Sequence, residues 1–428
     1  MIEGSWILFG GFAVLLIIGA PLAVALGITG TIVILTHHLG IMSVPTNAYN
    51  GIAKYPLLAL PVFVLAGMIF ERAGVALRIV RFASAIVGKR RGGQGVVAIL
   101  VCMFLGGISG SGPADAAAVA MVMIPGMLKQ GYPKEFSATL IAAAGSTAIL
   151  IPPSIALIVY SVLVPTASVP ALFAGGMFPG ILAGLALVVP TLYLSRKHGW
   201  GIASDEVTPR FWVTFKEAIW GLLAPVIILG GMRTGVFTPT EAAVVAVFYG
   251  LFVGVFVYRT LNLYKIYRVL VESAEISAVV LIIMSLAGIF AYAGSTLGAF
   301  DQLAKLLLGF TGNETLMLVM ISIMLLIAGT LLDAISIFLV FLPILVPIML
   351  IYGWDPVWFG VVITMNMAIG QFTPPMAINL IVTTRIAGVS MESTVRWALW
   401  MVASMLVAMI LVMVFPQLVL WLPRVLGF

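Results

Sequence analysis

Small and oxygen-bearing residues gather at four places in an otherwise apolar chain. Gly106-Gly107-Ile108-Ser109-Gly110-Ser111-Gly112-Pro113-Ala114-Asp115 offers two hydroxyls and a carboxylate, and Gly329-Thr330-Leu331-Leu332-Asp333 offers a hydroxyl and a carboxylate. The other two places surround the chain's only Pro-Pro pairs. They are Gly145-Ser146-Thr147-Ala148-Ile149-Leu150-Ile151-Pro152-Pro153-Ser154 and the segment from Asn366 through Gly370, Thr373, Pro374 and Pro375 to Asn379. Glycine and proline interrupt helices, and an interrupted helix has unspent carbonyls and amides. Carbonyls and hydroxyls suit a hard monovalent cation, whereas amides at a half-helix N-terminus suit a carboxylate. Non-helical backbone at membrane depth must be buried in protein or line a wet cavity.

The two acids weigh differently. A carboxylate at the bilayer centre costs roughly 2.5–3.5 kcal/mol on insertion scales and marks function by default. Asp333 is flanked by apolar residues and reads as functional, against the alternative of a carboxyl satisfied by amides at a helix start. Asp115 follows Gly112-Pro113-Ala114, where an N-cap would equally belong. An intramembrane aspartyl dyad sharing one proton is another use for this pair. Neither acid stands in the Gly-x-Gly-Asp setting usual for such proteases, and no enzymatic activity is expected. Cys102, the single cysteine, reads as a packed thiol, and His37-His38 as interfacial side chains.

The elements that must position these groups are membrane helices. Of 428 residues, 62% are hydrophobic and 8% charged, against about 25% charged in soluble domains. The start lacks the basic region of a secretory signal, so the first apolar run is expected to remain in the membrane. A span takes about 20 residues. Apolar runs occur near 6–36, 56–72, 94–128, 134–163, 170–195, 218–232, 239–258, 274–296, 314–351, 356–384 and 397–422. Gly19-Ala20-Pro21 divides the first run. The runs 94–128 and 314–351, interrupted at the glycine-rich segments, read as re-entrant helical hairpins. The stretches 74–88 and 298–310 read as amphipathic interfacial helices.

The proline pairs also expose a repeat. Their offset of 222 positions (374 − 152) places Pro125 on Pro347, Gly131 on Gly353, Gly107 on Gly329 and Ser111 on Asp333. Five crossings in the first half invert the second relative to it. With the N-terminus outside, all basic residues except Lys54, Arg233, Lys305 and Arg424 fall on the cytoplasmic side, as the positive-inside tendency requires. Paired broken helices in inverted repeats point to a transporter's midplane site. A channel would need a continuous pore, which hairpins from opposite sides do not suggest.

Taken in order, the first glycine-rich segment, Ile151-Pro152-Pro153-Ser154 and Phe372-Thr373-Pro374-Pro375-Met376-Ala377-Ile378-Asn379 resemble the large membrane subunit of TRAP (tripartite ATP-independent periplasmic) transporters. The resemblance covers essentially the whole chain. It implies an all-α polytopic protein of two inverted repeats, with two re-entrant hairpins and elevator-type scaffold and transport domains. The first repeat would span 1–205, with scaffold 1–72, arm 74–88 and transport segment 94–200. The second would span 212–428, with scaffold 212–295, arm 298–310 and transport segment 313–428.

The resemblance further implies sodium coupling in a bacterial inner membrane, a proton-coupled carrier of the same fold being the alternative. It implies import of an organic acid anion, of the sialic acid, sugar acid or C4-dicarboxylate class. The implied partners are a small four-helix membrane subunit and a periplasmic substrate-binding protein; no nucleic acid is expected. Two or more Na+ ions are expected. One would be held by Ser109, Gly110 and Ser111 with Thr147 and Ile149, and another by Gly329, Thr330 and Asp333 with Gly370 and Thr373. Ser109, Ser111, Ser154, Thr373 and Asn379 are the expected substrate contacts, and both termini are expected in the periplasm.

Overall fold

The computed structural model describes residues 2–87, 91–201 and 210–428; Lys89, Arg90 and the expected repeat boundary at 205 lie outside them. Every regular element in these residues is helical. The first run divides as the sequence demands, into α1 (Ile2–Ile17) and α2 (Leu22–Thr36), with Gly19 at φ +90° and Pro21 as the α2 N-cap. There follow α3 (Ser43–Ile52), α4 (Ala59–Arg72) and α5 (Val75–Val87). The first hairpin is α6 (Gly93–Ser109) and α7 (Gly112–Lys129). A broken crossing then comprises α8 (Lys134–Ser146), a 3-10 turn at Thr147–Ile149 and α9 (Ile155–Leu163), before α10 (Val169–His198) completes the half.

The second half repeats this order. After α11 (Phe211–Arg233), α12 (Pro239–Phe252) and α13 (Leu263–Thr296) comes the short α14 (Ala299–Phe310). The second hairpin is α15 (Glu314–Gly329) and α16 (Ala334–Tyr352). The second broken crossing is α17 (Pro356–Gly370) and α18 (Ile378–Ala387), followed by α19 (Val395–Val414) and α20 (Gln417–Leu426). The peptide bonds Pro152-Pro153 and Pro374-Pro375 are both cis. The four hairpin arms run 16–19 residues, or about 24–29 Å at 1.5 Å per residue. Seven helices among the described residues are long and apolar enough to cross a membrane.

Several elements differ from the sequence expectation. The amphipathic α3 was not foreseen. Helix α13 begins at Leu263 rather than near 274, because its first turns are polar (Lys265, Arg268 and Glu272) and hide from hydropathy. The last run divides at Pro416, and Phe415 before it leaves the helical region (φ −118°, ψ 78°), as the clash with a following proline ring requires.

The helices assemble into two packing groups. In one, α2, α3 and α4 lie against α13, and α12 lies against α4. Backbones meet closely here: a Cβ on Gly30 would lie 2.9 Å from Phe290 N, and one on Gly288 would lie 2.4 Å from Asn47 O. Small residues serve this purpose in membranes, where lipid is as apolar as leucine and close packing must replace hydrophobic driving force. The other group holds both hairpins and both broken crossings, around α10, α19 and α20. Helix α5 touches α11 of the first group and α6 of the second, and α14 touches α13 and α16. Helices α5 and α14 thus each touch both groups.

Candidate ion and anion site at the helix breaks

In each half the hairpin tip abuts the interrupted crossing so closely that only small residues fit. A Cβ on Gly106 would sit 2.6 Å from Ala148 Cα, and one on Gly370 would sit 2.6 Å from Gly329 Cα. Gly110 turns the first tip in the left-handed region (φ +62°), and a side chain there would strike Pro153 O at 2.3 Å. The second tip is tied by its carbonyl: Thr330 O accepts the amides of Met376 and Ala377, both at 3.2 Å. The halves also cross over. Helix α18 packs on α7 and α8 of the first half, and α9 packs on α16 and α17 of the second.

The two acids are engaged differently. Asp333 is the α16 N-cap; its Oδ2 accepts the amides of Ile335 at 3.1 Å and Ser336 at 3.4 Å, and its Oδ1 accepts the Ser336 hydroxyl. Three of its roughly four lone-pair sites are therefore used within one helical turn. Asp115 is not a cap. Ser111 holds that place on α7 without a side-chain hydrogen bond, and Asp115 stands in the first turn beyond it. Asp115 Oδ1 accepts the Ser109 hydroxyl at 2.7 Å, and Ser109 Oγ accepts the Ser111 amide at 3.1 Å. Asp115 is only 4% exposed, yet its Oδ2 is buried with no partner.

Two more orphaned oxygens lie nearby. A Cβ on Gly112, in the same first turn, would be 2.6 Å from Gln371 Oε1 and 3.3 Å from Asn379 Oδ1. Both oxygens are buried without a hydrogen-bond partner, on side chains 5% and 0% exposed. Asn379 is held by its Nδ2, which donates to Ala142 O on α8 at 3.1 Å, and by its amide, which donates to Gln371 O at 3.0 Å. The start of α7, the broken end of α17 and the start of α18 thus each hold a buried acceptor without a protein partner. A buried polar group without a partner costs about 1–3 kcal/mol, and Asp115, Gln371 and Asn379 each carry one such oxygen. Gln371 was not singled out from the sequence; its type and its place between Gly370 and the proline pair were the available signal.

The other expected residues are placed as follows. Thr147 Oγ1 donates to Ala144 O at 2.7 Å, and Ile149 O accepts the hydroxyl of fully buried Ser154, which also caps α9 at Leu157 N. Thr373 Oγ1 donates to Ile369 O at 2.6 Å, and Thr330 Oγ1 to Ile327 O at 2.8 Å. These hydroxyls are engaged in lacing the breaks. Ser109, Gly110 and Ser111 share the first tip with Asp115, and Gly329, Thr330 and Asp333 the second; Gly370 touches Gly329.

Comparison with known proteins accounts for this architecture. Residues 9–418 match the family described as the DctM component of tripartite ATP-independent periplasmic transporters. The DctM large permease of a C4-dicarboxylate TRAP transporter from Rhodobacter capsulatus is 36% identical over 436 residues, covering 98% of this chain and 99% of that one. The SiaM large permease of a sialic acid TRAP transporter from Vibrio cholerae is 35% identical, covering 97% of each. The isethionate permease DctMQ of Oleidesulfovibrio alaskensis is 39% identical over 412 residues, and the match spans 96% of this chain but 65% of that longer protein. The fold is shared with the Alcanivorax borkumensis YdaH transporter at a TM-score of 0.66 and 15% identity, over 90% of this chain and 89% of that one. The chain belongs to the DctM family, the large membrane permeases of TRAP transporters.

Proposed function

We propose that this permease imports a small organic anion across a bacterial inner membrane, coupled to sodium, with the ion held at the first hairpin tip. The observation that carries the ion assignment is Asp115 Oδ2, a buried carboxylate oxygen with no protein partner, in the same first turn of α7 that Gln371 and Asn379 face at Gly112. A hard cation takes oxygen donors, and a monovalent one can leave the site without prohibitive dehydration. Ser109 donates to this carboxylate and shares the tip with Gly110 and Ser111, while Thr147 and Ile149 belong to the opposed break. A second ion is assigned to the repeat-related place at Gly329, Thr330, Asp333, Gly370 and Thr373, where Asp333 keeps one lone-pair site beyond its capping role.

The anion would lie between the tips. Ser111 has an uncommitted hydroxyl, and the amides of Gln371 and Asn379 offer an acceptor or, turned over, donors. Ser109, Ser154 and Thr373 would shape the pocket through the backbone they hold. The substrates named for the relatives are a C4-dicarboxylate, sialic acid and isethionate; all are small oxyanions, the class assigned here. The two packing groups supply a scaffold and a moving transport domain, with α5 and α14 as connecting arms in an elevator movement. A small four-helix membrane subunit and a periplasmic binding protein complete the system, and both termini lie in the periplasm.

The test is uptake into liposomes containing the permease with its small subunit, driven by the cognate binding protein. Uptake should follow an inward sodium gradient and ignore a proton gradient of equal size. The opposite pattern would reassign Asp115 as a proton carrier.

A further inference from the structure

Away from the helix breaks, a cavity of about 440 Å³ opens in the seam between the two packing groups. It lies at the end where α4, α10 and α12 begin. Its walls come from both groups: Lys54, Tyr55, Pro239 and Thr240 from the first, Ser168 and Pro170 from the second. A neighbouring cavity of about 390 Å³ shares Lys54 as a wall. Lys54 is the sole cation in either lining, and its Nζ donates to Val162 O at 3.3 Å across the seam.

Three observations indicate what the cavity accepts. First, Lys54 belongs to no ion pair among the described residues, although Asp301 also lines the neighbouring cavity. Partial desolvation holds its ammonium below the usual lysine range, although the residue as a whole is exposed. Second, Thr240 lines the cavity, and its Oγ1 is buried with no hydrogen-bond partner. Third, the 30-residue α10 and the 14-residue α12 both begin at this cavity, Val169 and Pro170 of one and Pro239 and Thr240 of the other being in its wall. Helix N-termini carry partial positive charge. Glu241 closes a capping box on Thr238 and offsets the α12 contribution, which leaves Lys54 and α10 as the stronger sources.

We propose that this seam cavity is a second anion site, remote from the helix breaks, where Lys54 and Thr240 bind the oxyanion group of a carboxylate, sulfonate or lipid phosphate. Its walls belong to different packing groups, so an anion bound there would bridge them in the conformation seen. The inference does not rest on sodium coupling, and its test requires no transport.

The full chain carrying Tyr55→Cys is reconstituted in phosphatidylcholine nanodiscs. Tyr55 is 61% exposed and lines the cavity, while the native Cys102 is fully buried. Labelling rates are compared for an anionic sulfonatoethyl and a cationic trimethylammonioethyl methanethiosulfonate. The anionic reagent should react about tenfold faster, an enhancement typical of a focused positive potential. That preference should vanish with Lys54→Gln, survive Lys54→Arg, and survive Arg233→Gln, a change outside the cavity lining. Sodium succinate, against sodium chloride of equal ionic strength, should slow the anionic reagent if the ligand is a free carboxylate. Slowing only in discs containing phosphatidylglycerol would identify a lipid phosphate, and either result supports the site. A preference that persists in Lys54→Gln, or labelling insensitive to both succinate and phosphatidylglycerol, would overturn it.

Discussion

Asp115 Oδ1 accepts the Ser109 hydroxyl at 2.7 Å across the tip of the first hairpin, and its other oxygen meets no protein donor. Ser109 also accepts the Ser111 amide at 3.1 Å, so one hydroxyl holds both the turn and the carboxylate. Ser109→Ala removes a hydrogen bond to a charged group, worth roughly 1.5–3 kcal/mol. The expected outcome is a lower melting temperature together with about tenfold weaker sodium stimulation of uptake. Melting curves recorded with and without sodium check it; a loss of stability equal under both conditions would confine Ser109 to a structural role.

Asp333 should respond differently because its carboxylate is occupied by its own helix. Asp333→Ala removes an N-cap and should cost about 1 kcal/mol of stability, whereas Asp333→Asn and Asp333→Ser retain a cap. Thermal unfolding in detergent should rank Asn and Ser near the parent and Ala below them. Sodium affinity of the Asn variant then measures what the remaining lone pair contributes to the second ion.

Gly112 and Gly126 both lie on α7 and make a matched pair. A Cβ on Gly112 would approach Gln371 Oε1 at 2.6 Å, while one on Gly126 meets nothing within 4 Å. Gly126→Ala should be neutral or stabilising by up to about 1 kcal/mol, as alanine is the better helix former. Gly112→Ala should displace the Gln371 amide and reduce uptake more than tenfold while the protein still folds. Equal uptake by the two variants would argue that Gln371 does not face the ligand.

A fourth expectation concerns the contact between the packing groups at the tip. A Cβ on Gly67 of α4 would lie 2.9 Å from Ser109 Cα. Gly67→Val should therefore wedge α4 from the first tip and disfavour this conformation. Steady-state uptake should fall at least tenfold, whereas sodium binding measured at equilibrium should change less. Parallel losses in both would instead mark damage to the tip itself.

Much of this was legible in the sequence because helix breaks are written in glycine and proline. The pairs Pro152-Pro153 and Pro374-Pro375 and the glycine-rich tips located both hairpins and both interrupted crossings. The repeat offset even set Ser111 opposite Asp333, and these are the N-caps of α7 and α16. Apolar flanks marked Asp333, but local composition cannot show that the next turn also engages its carboxylate. Gln371 was hidden for another reason. It is 259 positions from Gly112 (371 − 112), and only the packing of α18 on α7 and α8 brings it there. Helix α3 escaped because Ser43–Ile52 is mostly polar or small, and Gly51 gains its purpose only against Met284 O of α13, 2.6 Å from its would-be Cβ.

The central claim is that Asp115 supplies the charge that holds sodium at the first tip. The most direct measurement is equilibrium binding of radioactive sodium to the purified permease and its Asp115→Asn variant, which keeps the shape and removes the charge. The account predicts that the variant folds, melts within a few degrees of the parent and loses about one bound sodium or at least tenfold in affinity. Undiminished sodium binding by the Asn variant would contradict it.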